Sequence, residues 1–268
     1  MYSTKAWAVV PAATLLLCPL AVEAKTFTES LASGKTTVNA RMRYENVVDQ
    51  ASAGEDEAMT IRTRLGYETA PIGGVTALVE FEDIHTLGGM DDYQLPAPPK
   101  PLATGDAVIA DPEQTELNRV QLRYRGIPRL DLTLGRQRLM WDNQRFIGNV
   151  GFRQDEQTFD AFSAAYTGIT DLTVNYAYVD HVDGIIETTD ANVSDSLVNI
   201  AYTGLTVGKL IAYNYALSNQ TYDLATLNPG LNYDHNDTRG LRFDGAYVLP
   251  TTVPLKALYR AEYAKQRV

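Results

Sequence analysis

Apolar and polar residues alternate strictly in the segment Val38-Asn39-Ala40-Arg41-Met42-Arg43-Tyr44-Glu45. A second segment, residues 59–68, repeats the pattern, with Arg62 and Arg64 at polar positions. A period of two is typical of a β-strand with one apolar and one polar face. Nine further runs of this kind predict an all-β protein of about 11 strands. They lie near residues 75–84, 117–125, 130–138, 158–167, 171–180, 195–203, 208–217, 239–248 and 255–264.

The connections between these runs are alternately short and long. The short ones contain Gly or Pro suited to tight hairpins, at residues 70–74, 126–129, 168–171, 204–207 and 249–254. The long ones are residues 49–57, 86–115, 140–157, 181–195 and 218–238. Short turns at one end and long loops at the other are typical of outer-membrane barrels. The sequence therefore predicts a transmembrane, antiparallel, up-and-down β-barrel.

Aromatic residues recur near both ends of the apolar faces. The predicted row at the short-turn end contains Tyr67, Tyr124, Tyr166, Tyr202 and Tyr247. The predicted row at the long-loop end contains Tyr44, Phe81, Tyr178, Tyr215 and Tyr263. Two such rows are expected of the aromatic girdles of a membrane barrel, so outer-membrane lipid is the predicted partner of the apolar face.

The overall charge and the N-terminus limit the function classes. The chain has 23 Lys and Arg against 33 Asp and Glu, a net charge of −10, which argues against nucleic-acid binding. Residues 1–24 resemble a cleaved signal peptide, with an N-terminal membrane anchor as the alternative, and residues 25–268 form the predicted barrel domain. The single cysteine, Cys18, lies in the leader, so disulfides and thiolate metal sites are excluded from the mature chain.

Arginines dominate the predicted polar face. They are Arg41, Arg43, Arg62, Arg64, Arg119, Arg123 and Arg125, with carboxylates such as Glu80 and Glu82 at facing positions. A strip of guanidinium groups in a narrow passage would attract carboxylate-bearing solutes and repel cations. The same residues could instead form an arginine–glutamate lattice that only stiffens the wall. Both readings make these arginines lumen residues.

Catalysis has little support in the sequence. His85, His181 and His235 all fall at strand ends or in loops, without ligand-type spacing or a serine aimed at them. We therefore expect no enzyme activity, no cofactor and no metal. Two alternatives stay open: an outer-membrane β-barrel enzyme, and a secreted soluble β-sheet binding protein whose apolar face packs against another layer.

Two neighbouring segments resemble a known family. The first segment is Gly135-Arg136-Gln137-Arg138, followed by Asp142 and Arg145-Phe146-Ile147-Gly148. The second segment is Phe152-Arg153-Gln154, followed by Thr158-Phe159-Asp160-Ala161. Both are similar to the signature of the alginate-export family of outer-membrane porins. The resemblance implies a monomeric barrel of about 18 strands that passes an anionic polysaccharide or a smaller solute. It also implies that Arg136, Arg138 and Arg145 lie at the pore mouth or in the lumen. Strict alternation from Leu134 would point Arg136 toward lipid, unless a bulge at Gly135 switches the face or the strand has left the hydrocarbon.

The expected function is passive diffusion of anionic, sugar-acid or polysaccharide solutes through an arginine-lined porin in the outer membrane of a Gram-negative cell. Single-chain bacterial barrels have even strand numbers, whereas eleven runs are present here. We therefore expect an incomplete barrel, the N-terminal portion of a longer chain that is truncated on its C-terminal side.

Overall fold

A computed structural model describes residues 26–48, 55–92, 108–186, 190–218, 235–249 and 255–267. The predicted leader, residues 1–24, lies outside the described residues. One short helix, α1 (Phe27–Ala32), precedes the sheet; it begins with a capping box in which Thr26 and Glu29 each bond the other's backbone N–H. No helix in the described part of the chain is long and apolar enough to cross a membrane.

Eleven strands follow α1, as the alternation predicted. They are β1 (Lys35–Val48), β2 (Glu55–Glu68), β3 (Val75–Asp92), β4 (Gln114–Tyr124), β5 (Leu130–Gln137), β6 (Thr158–Ile169), β7 (Leu172–Asp183), β8 (Ala191–Leu205), β9 (Gly208–Ser218), β10 (His235–Leu249) and β11 (Leu255–Arg267).

The strands form one antiparallel meander in sequence order, β1 to β11. Each strand pairs with its sequence neighbours, and β1 and β11 are the two edges of the unclosed sheet. The prediction of an all-β, up-and-down, incompletely closed barrel is confirmed. The alternation of connections is confirmed from β3 onward, since two residues join β6 to β7 and β8 to β9, whereas 20 residues lie between β5 and β6. The first two connections do not differ, because six residues lie between β1 and β2 and six between β2 and β3.

The distribution of burial is inverted relative to a soluble protein. Side chains of the apolar face are exposed, among them Val38 at 70%, Met42 at 64% and Leu258 at 75%. Charged side chains of the opposite face are buried, among them Arg62 at 6% and Glu82 at 0% exposure. A soluble sandwich would cover the apolar face with a second layer, and along the described strands none covers it. The apolar face is therefore the outer surface of the barrel wall.

Seven of the ten aromatic residues predicted for the two rows are exposed on this outer face. Tyr67 and Tyr124 share that face but are half-buried at the short-turn end, where the Tyr67 hydroxyl donates to the Leu31 carbonyl of α1. The prediction for Tyr215 is wrong, because this side chain is 2% exposed and lies on the inner face. Its strand, β9, has apolar residues on both faces, so the period of two did not determine which face is outside.

Candidate functional site

The inner face of β1–β5 is covered by a connection that we call the inner loop, residues 138–157. Buried carboxylates and arginines from the strands and from the inner loop form one alternating chain of ion pairs. In order its members are Glu82, Arg64, Glu156, Arg138, Glu80 and Arg119. The Arg64 Nη1–Glu156 Oε1 distance is 3.3 Å and the Arg138 Nη2–Glu80 Oε1 distance is 2.9 Å. Three acids and three arginines balance, so this chain is neutral.

Glu156 is the member of the chain contributed by the C-terminal end of the inner loop. Its carboxylate also accepts hydrogen bonds from Asn118 Nδ2 at 2.9 Å and from Asn149 Nδ2 at 2.7 Å. Burial alone would raise the pKa of Glu156, but the hydrogen bond from Arg138 and the charges of Arg138 and Arg64 hold this pKa below its ordinary value. Glu156 is therefore ionised at neutral pH.

Two arginines next to this chain are bound only to neutral acceptors. Arg41 and Arg62 are directly opposite each other in the β1–β2 register. Arg41 donates to Gln154 Oε1 at 2.8 Å and to the Gly151 carbonyl at 3.0 Å, and Arg62 donates to the Gln154 carbonyl at 3.2 Å. Neither makes an ion pair within the described ranges, and Arg41 Nη2 and Arg62 Nε are buried without a hydrogen-bond partner. These two positive charges are therefore not paired directly with any carboxylate of the described residues.

Two further carboxylates, Asp155 and Glu116, are also without an ion pair in the part of the molecule described. Gln114 Nε2 donates to Asp155 Oδ2 at 2.7 Å and, more weakly, to Glu116 Oε2 at 3.4 Å. Burial, followed by the charges of Glu116 and Glu82, raises the pKa of Asp155 to about 9. Asp155 is therefore largely protonated at neutral pH unless a positive charge binds beside it.

Aromatic and aliphatic side chains hold the inner loop against the inner face of β7–β9. Leu139 and Ile147 are buried in a cluster with Tyr213 and Tyr215, which stack with ring centroids 5.0 Å apart. Phe146 packs 5.5 Å from the Tyr213 ring, and Trp141 packs 6.0 Å from the Tyr215 ring. The inward position of Tyr215 follows from this contact, because the inner loop supplies it with apolar partners.

Polar contacts tie the inner loop to both edges of the sheet. On the β1–β2 side, Gln154 Nε2 donates to the Thr60 carbonyl at 3.1 Å. On the β10–β11 side, Arg242 Nη2 lies 3.4 Å from Asp142 Oδ1, and Arg145 Nη1 lies 3.3 Å from Glu262 Oε2. The inner loop therefore crosses the space enclosed by the curved sheet and narrows it.

Two cavities lie between the inner loop and the wall. One, of about 470 Å³, is lined by Thr37, Asn39, Arg41, Arg62, Arg64, Glu80, Arg119, Arg138, Met140, Asn149, Gly151 and Glu156. The second, of about 420 Å³, lies toward the short-turn end and includes Arg123 and Asp131. Arg119 and Arg138 line both cavities. A row of arginines thus continues from the Arg41–Arg62 pair to Arg123, in which Arg119, Arg138 and Arg123 are each paired with a carboxylate.

Most of the other predicted arginines are paired. Arg43 binds Glu45 and lies 3.4 Å from Asp111, while Arg123 and Arg125 share Asp131. Arg145 is exposed, lies over the Phe146 ring at 5.4 Å and reaches Glu262.

The structure does not bring Arg136 to the inner face, so the lumen, one of its two predicted positions, is excluded, and the pore mouth remains a prediction. The β4–β5 and β5–β6 registers continue through Gly135 without a bulge, which leaves Arg136 on the side of Leu134. Gly135 has φ +111°, and a Cβ there would lie 2.3 Å from the Val120 carbonyl oxygen, so this position requires glycine. Arg136 is the penultimate residue of β5 and binds Asp160 and Asp183 at the long-loop end, as expected of a strand that has left the hydrocarbon.

Four buried residues of this site were not predicted from the sequence: Asn118, Gln154, Asp155 and Glu156. A bulge in the β3–β4 pairing places Asn118 on the inner face next to Arg119, and alternation alone does not show such a bulge. Gln154, Asp155 and Glu156 lie in a loop, where the two-residue alternation of a β-strand does not apply and cannot show which side chains point into the barrel. The only sequence signal for them was the position of Gln154 within the motif that resembles the alginate-export signature.

Comparisons of the amino-acid sequence with known protein families and curated proteins found no relative. No protein family profile matches the chain, so the resemblance to the alginate-export family is not shown. No curated protein matches it either.

Solved structures with a similar fold are outer-membrane porins. OccAB3 from Acinetobacter baumannii has a TM-score of 0.63 and 15% identity, over 88% of this chain and 59% of that chain. OccK8 (OprE) from Pseudomonas aeruginosa has a TM-score of 0.60 and 14% identity, over 87% and 55%. OpdK from the same organism, solved with vanillate, has a TM-score of 0.55 and 12% identity, over 82% and 54%. The chain thus has the fold of a porin barrel and spans somewhat more than half the length of these neighbours.

Proposed function

We propose that this chain is part of a monomeric outer-membrane porin through which small anionic solutes diffuse passively. The observation that supports this most strongly is the Arg41–Arg62 pair, which lines a cavity of about 470 Å³ and has no carboxylate partner in the described part of the chain. A guanidinium group whose acceptors are all neutral is not neutralised by them, so its positive electrostatic field still attracts a passing anion. The neighbouring chain of six residues is neutral and serves to hold the wall and the inner loop in place.

The proposed solute class is the carboxylates, including sugar acids. Arginine presents a planar pair of donors that matches a carboxylate in two parallel hydrogen bonds. OpdK was solved with vanillate, which is itself a carboxylate. The finer proposal is a channel of the alginate-export type for sugar-acid or polysaccharide solutes. It rests on the motif in residues 135–161, of which Arg138 and Glu156 belong to the ion-pair chain.

The test is the reversal potential of the full-length protein in planar bilayers under a KCl gradient. We expect anion preference in the unmodified protein. Arg62→Gln should lower the anion-to-cation permeability ratio about threefold, which corresponds to a change in local potential energy of roughly half a kT per unit charge, because anion and cation shift in opposite directions. Arg41→Gln/Arg62→Gln should lower it further.

The matched control is Arg260→Gln, which removes an inner-face arginine that is paired with Asp244. Because Asp244 keeps its contact with Arg242, the permeability ratio should stay close to that of the unmodified protein. Equal effects of Arg62→Gln and Arg260→Gln would exclude a special role for the unpaired arginines.

A further inference from the structure

Three carboxylates from separate elements meet behind the inner loop. Glu82 lies on β3, Glu116 lies on β4 and Asp155 lies on the inner loop. Each presents an oxygen within 4.8 Å of the oxygens presented by the other two. Glu82 and Asp155 are fully buried, at 0% exposure, so water does not screen the repulsion between them.

Among the described residues, a direct ion pair reaches only one of the three carboxylates, Glu82. Arg64 binds Glu82 Oε2 and is shared with Glu156, and no ion pair reaches Glu116 or Asp155 among the described residues. Two oxygens of the cluster, Glu82 Oε1 and Asp155 Oδ1, are buried without a hydrogen-bond partner among the residues that the structure describes. A buried polar atom left without a partner costs about 1–3 kcal/mol, and more when it is charged. Two such atoms within one cluster point to a ligand that binds both.

The donor set and its dimensions suit a hard divalent cation. Ca²⁺ binds carboxylate oxygens at about 2.3–2.6 Å, so two ligands on opposite sides of the ion lie about 4.6–5.2 Å apart. The oxygens of the three carboxylates lie within 4.8 Å of one another, which is compatible with a shared place in the coordination shell of one Ca²⁺ ion. Mg²⁺ fits less well, because it keeps several of its waters and the two fully buried carboxylates leave little room for them.

We propose that Glu82, Glu116 and Asp155 bind one Ca²⁺ ion that fastens the inner loop to β3 and β4. The ion joins Asp155 of the loop to two carboxylates of the wall, one of which, Glu82, is also the end member of the ion-pair chain. Its function is to fix the position of the narrowing segment. The proposal does not depend on which solute the channel passes.

The experiment measures Ca²⁺ binding to the full-length folded protein in detergent, after treatment with EDTA and removal of the chelator. Isothermal titration with CaCl₂ should give one site per chain in the unmodified protein. Glu116→Gln/Asp155→Asn keeps the shape of both side chains and should weaken Ca²⁺ binding at least about tenfold. The control Asp131→Asn removes an inner-face carboxylate outside the cluster, and we expect it to keep full Ca²⁺ affinity.

The proposal is overturned if the unmodified protein takes up no Ca²⁺, or if the double variant binds Ca²⁺ as tightly as the unmodified protein does. Glu116→Gln alone gives the same comparison should the double variant fail to fold, since Glu116 is only half-buried and makes no ion pair with any described residue. The titration requires no conduction, so its outcome is separate from that of the reversal-potential measurement.

Discussion

Replacing Glu156 by Gln is expected to lower the free energy of unfolding by about 3–5 kcal/mol, the usual cost of breaking a buried ion pair on one side. Glu156 is 3% exposed, and its carboxylate contacts Arg138, Arg64, Asn118 and Asn149. Without its charge, Arg64 and Arg138 keep one carboxylate partner each, and the inner loop loses its strongest link to the wall. Urea unfolding of the full-length protein in lipid vesicles, followed by tryptophan fluorescence, measures this change.

The matched control for Glu156→Gln is Asp237→Asn. Asp237 lies 3.7 Å from Arg239, whose side chain is 71% exposed, so this is a surface pair. Such pairs contribute less than about 1 kcal/mol, and the control should unfold close to the unmodified protein. A Glu156→Gln variant as stable as the control would show that the alternating ion-pair chain does not hold the inner loop.

The double substitution Trp141→Ala/Phe146→Ala is expected to raise single-channel conductance roughly twofold, because conductance follows the free cross-section of a pore. These two rings pack against Tyr213 and Tyr215 and hold the inner loop on β9. Without them the middle of the loop loses its apolar contact with the wall, while the Glu156 end remains bound. Current recordings in planar bilayers measure the conductance and its noise.

Phe152→Ala is the control for that loop. Phe152 belongs to the same segment but is 66% exposed, and its ring lies 5.3 Å from the Arg153 guanidinium. Its removal should leave conductance unchanged. An identical rise in both variants would mean that aromatic volume, rather than the attachment of the loop to β9, limits the current.

The strands and their order could be predicted from the sequence because a period of two is a local property. Val38 to Tyr44 already show which residues share a face, and the lengths of the connections then give the meander and its two unlike ends. The outer face followed from the same pattern wherever the opposite face was charged, as on β1 and β2. On β9 both faces are apolar, and the prediction for Tyr215 was wrong there.

The pairing of the arginines could not be predicted, because it depends on a loop. The sequence left open whether the polar face is a conducting ladder or a rigid lattice. The structure separates the two by residue: Arg64, Arg119 and Arg138 belong to a neutral lattice, whereas Arg41 and Arg62 are bound by neutral groups. The difference arises from Glu156 and Gln154 of the inner loop.

The acidic cluster of Glu82, Glu116 and Asp155 could not be predicted from the sequence either, because it too depends on the position of the inner loop. Glu82 and Glu116 are directly opposite in the β3–β4 register, but a bulge between Glu80 and Phe81 sets that register. Asp155 reaches them only because the inner loop folds back inside the sheet. No spacing along the chain relates the three positions, and the sequence accordingly predicted no metal site.

The central claim is that the apolar side of each strand faces lipid and the polar side faces the water-filled interior. Single cysteines at positions 120–123 of β4 in a cysteine-free, full-length background test it most directly, because Val120 and Leu122 are exposed on the outer face while Gln121 and Arg123 line the 420 Å³ cavity. A bimane label at positions 120 and 122 should be quenched by brominated lipid, and cysteines at 121 and 123 should instead react with a water-soluble thiol reagent. Uniform behaviour along the four positions, or the opposite alternation, would contradict the account.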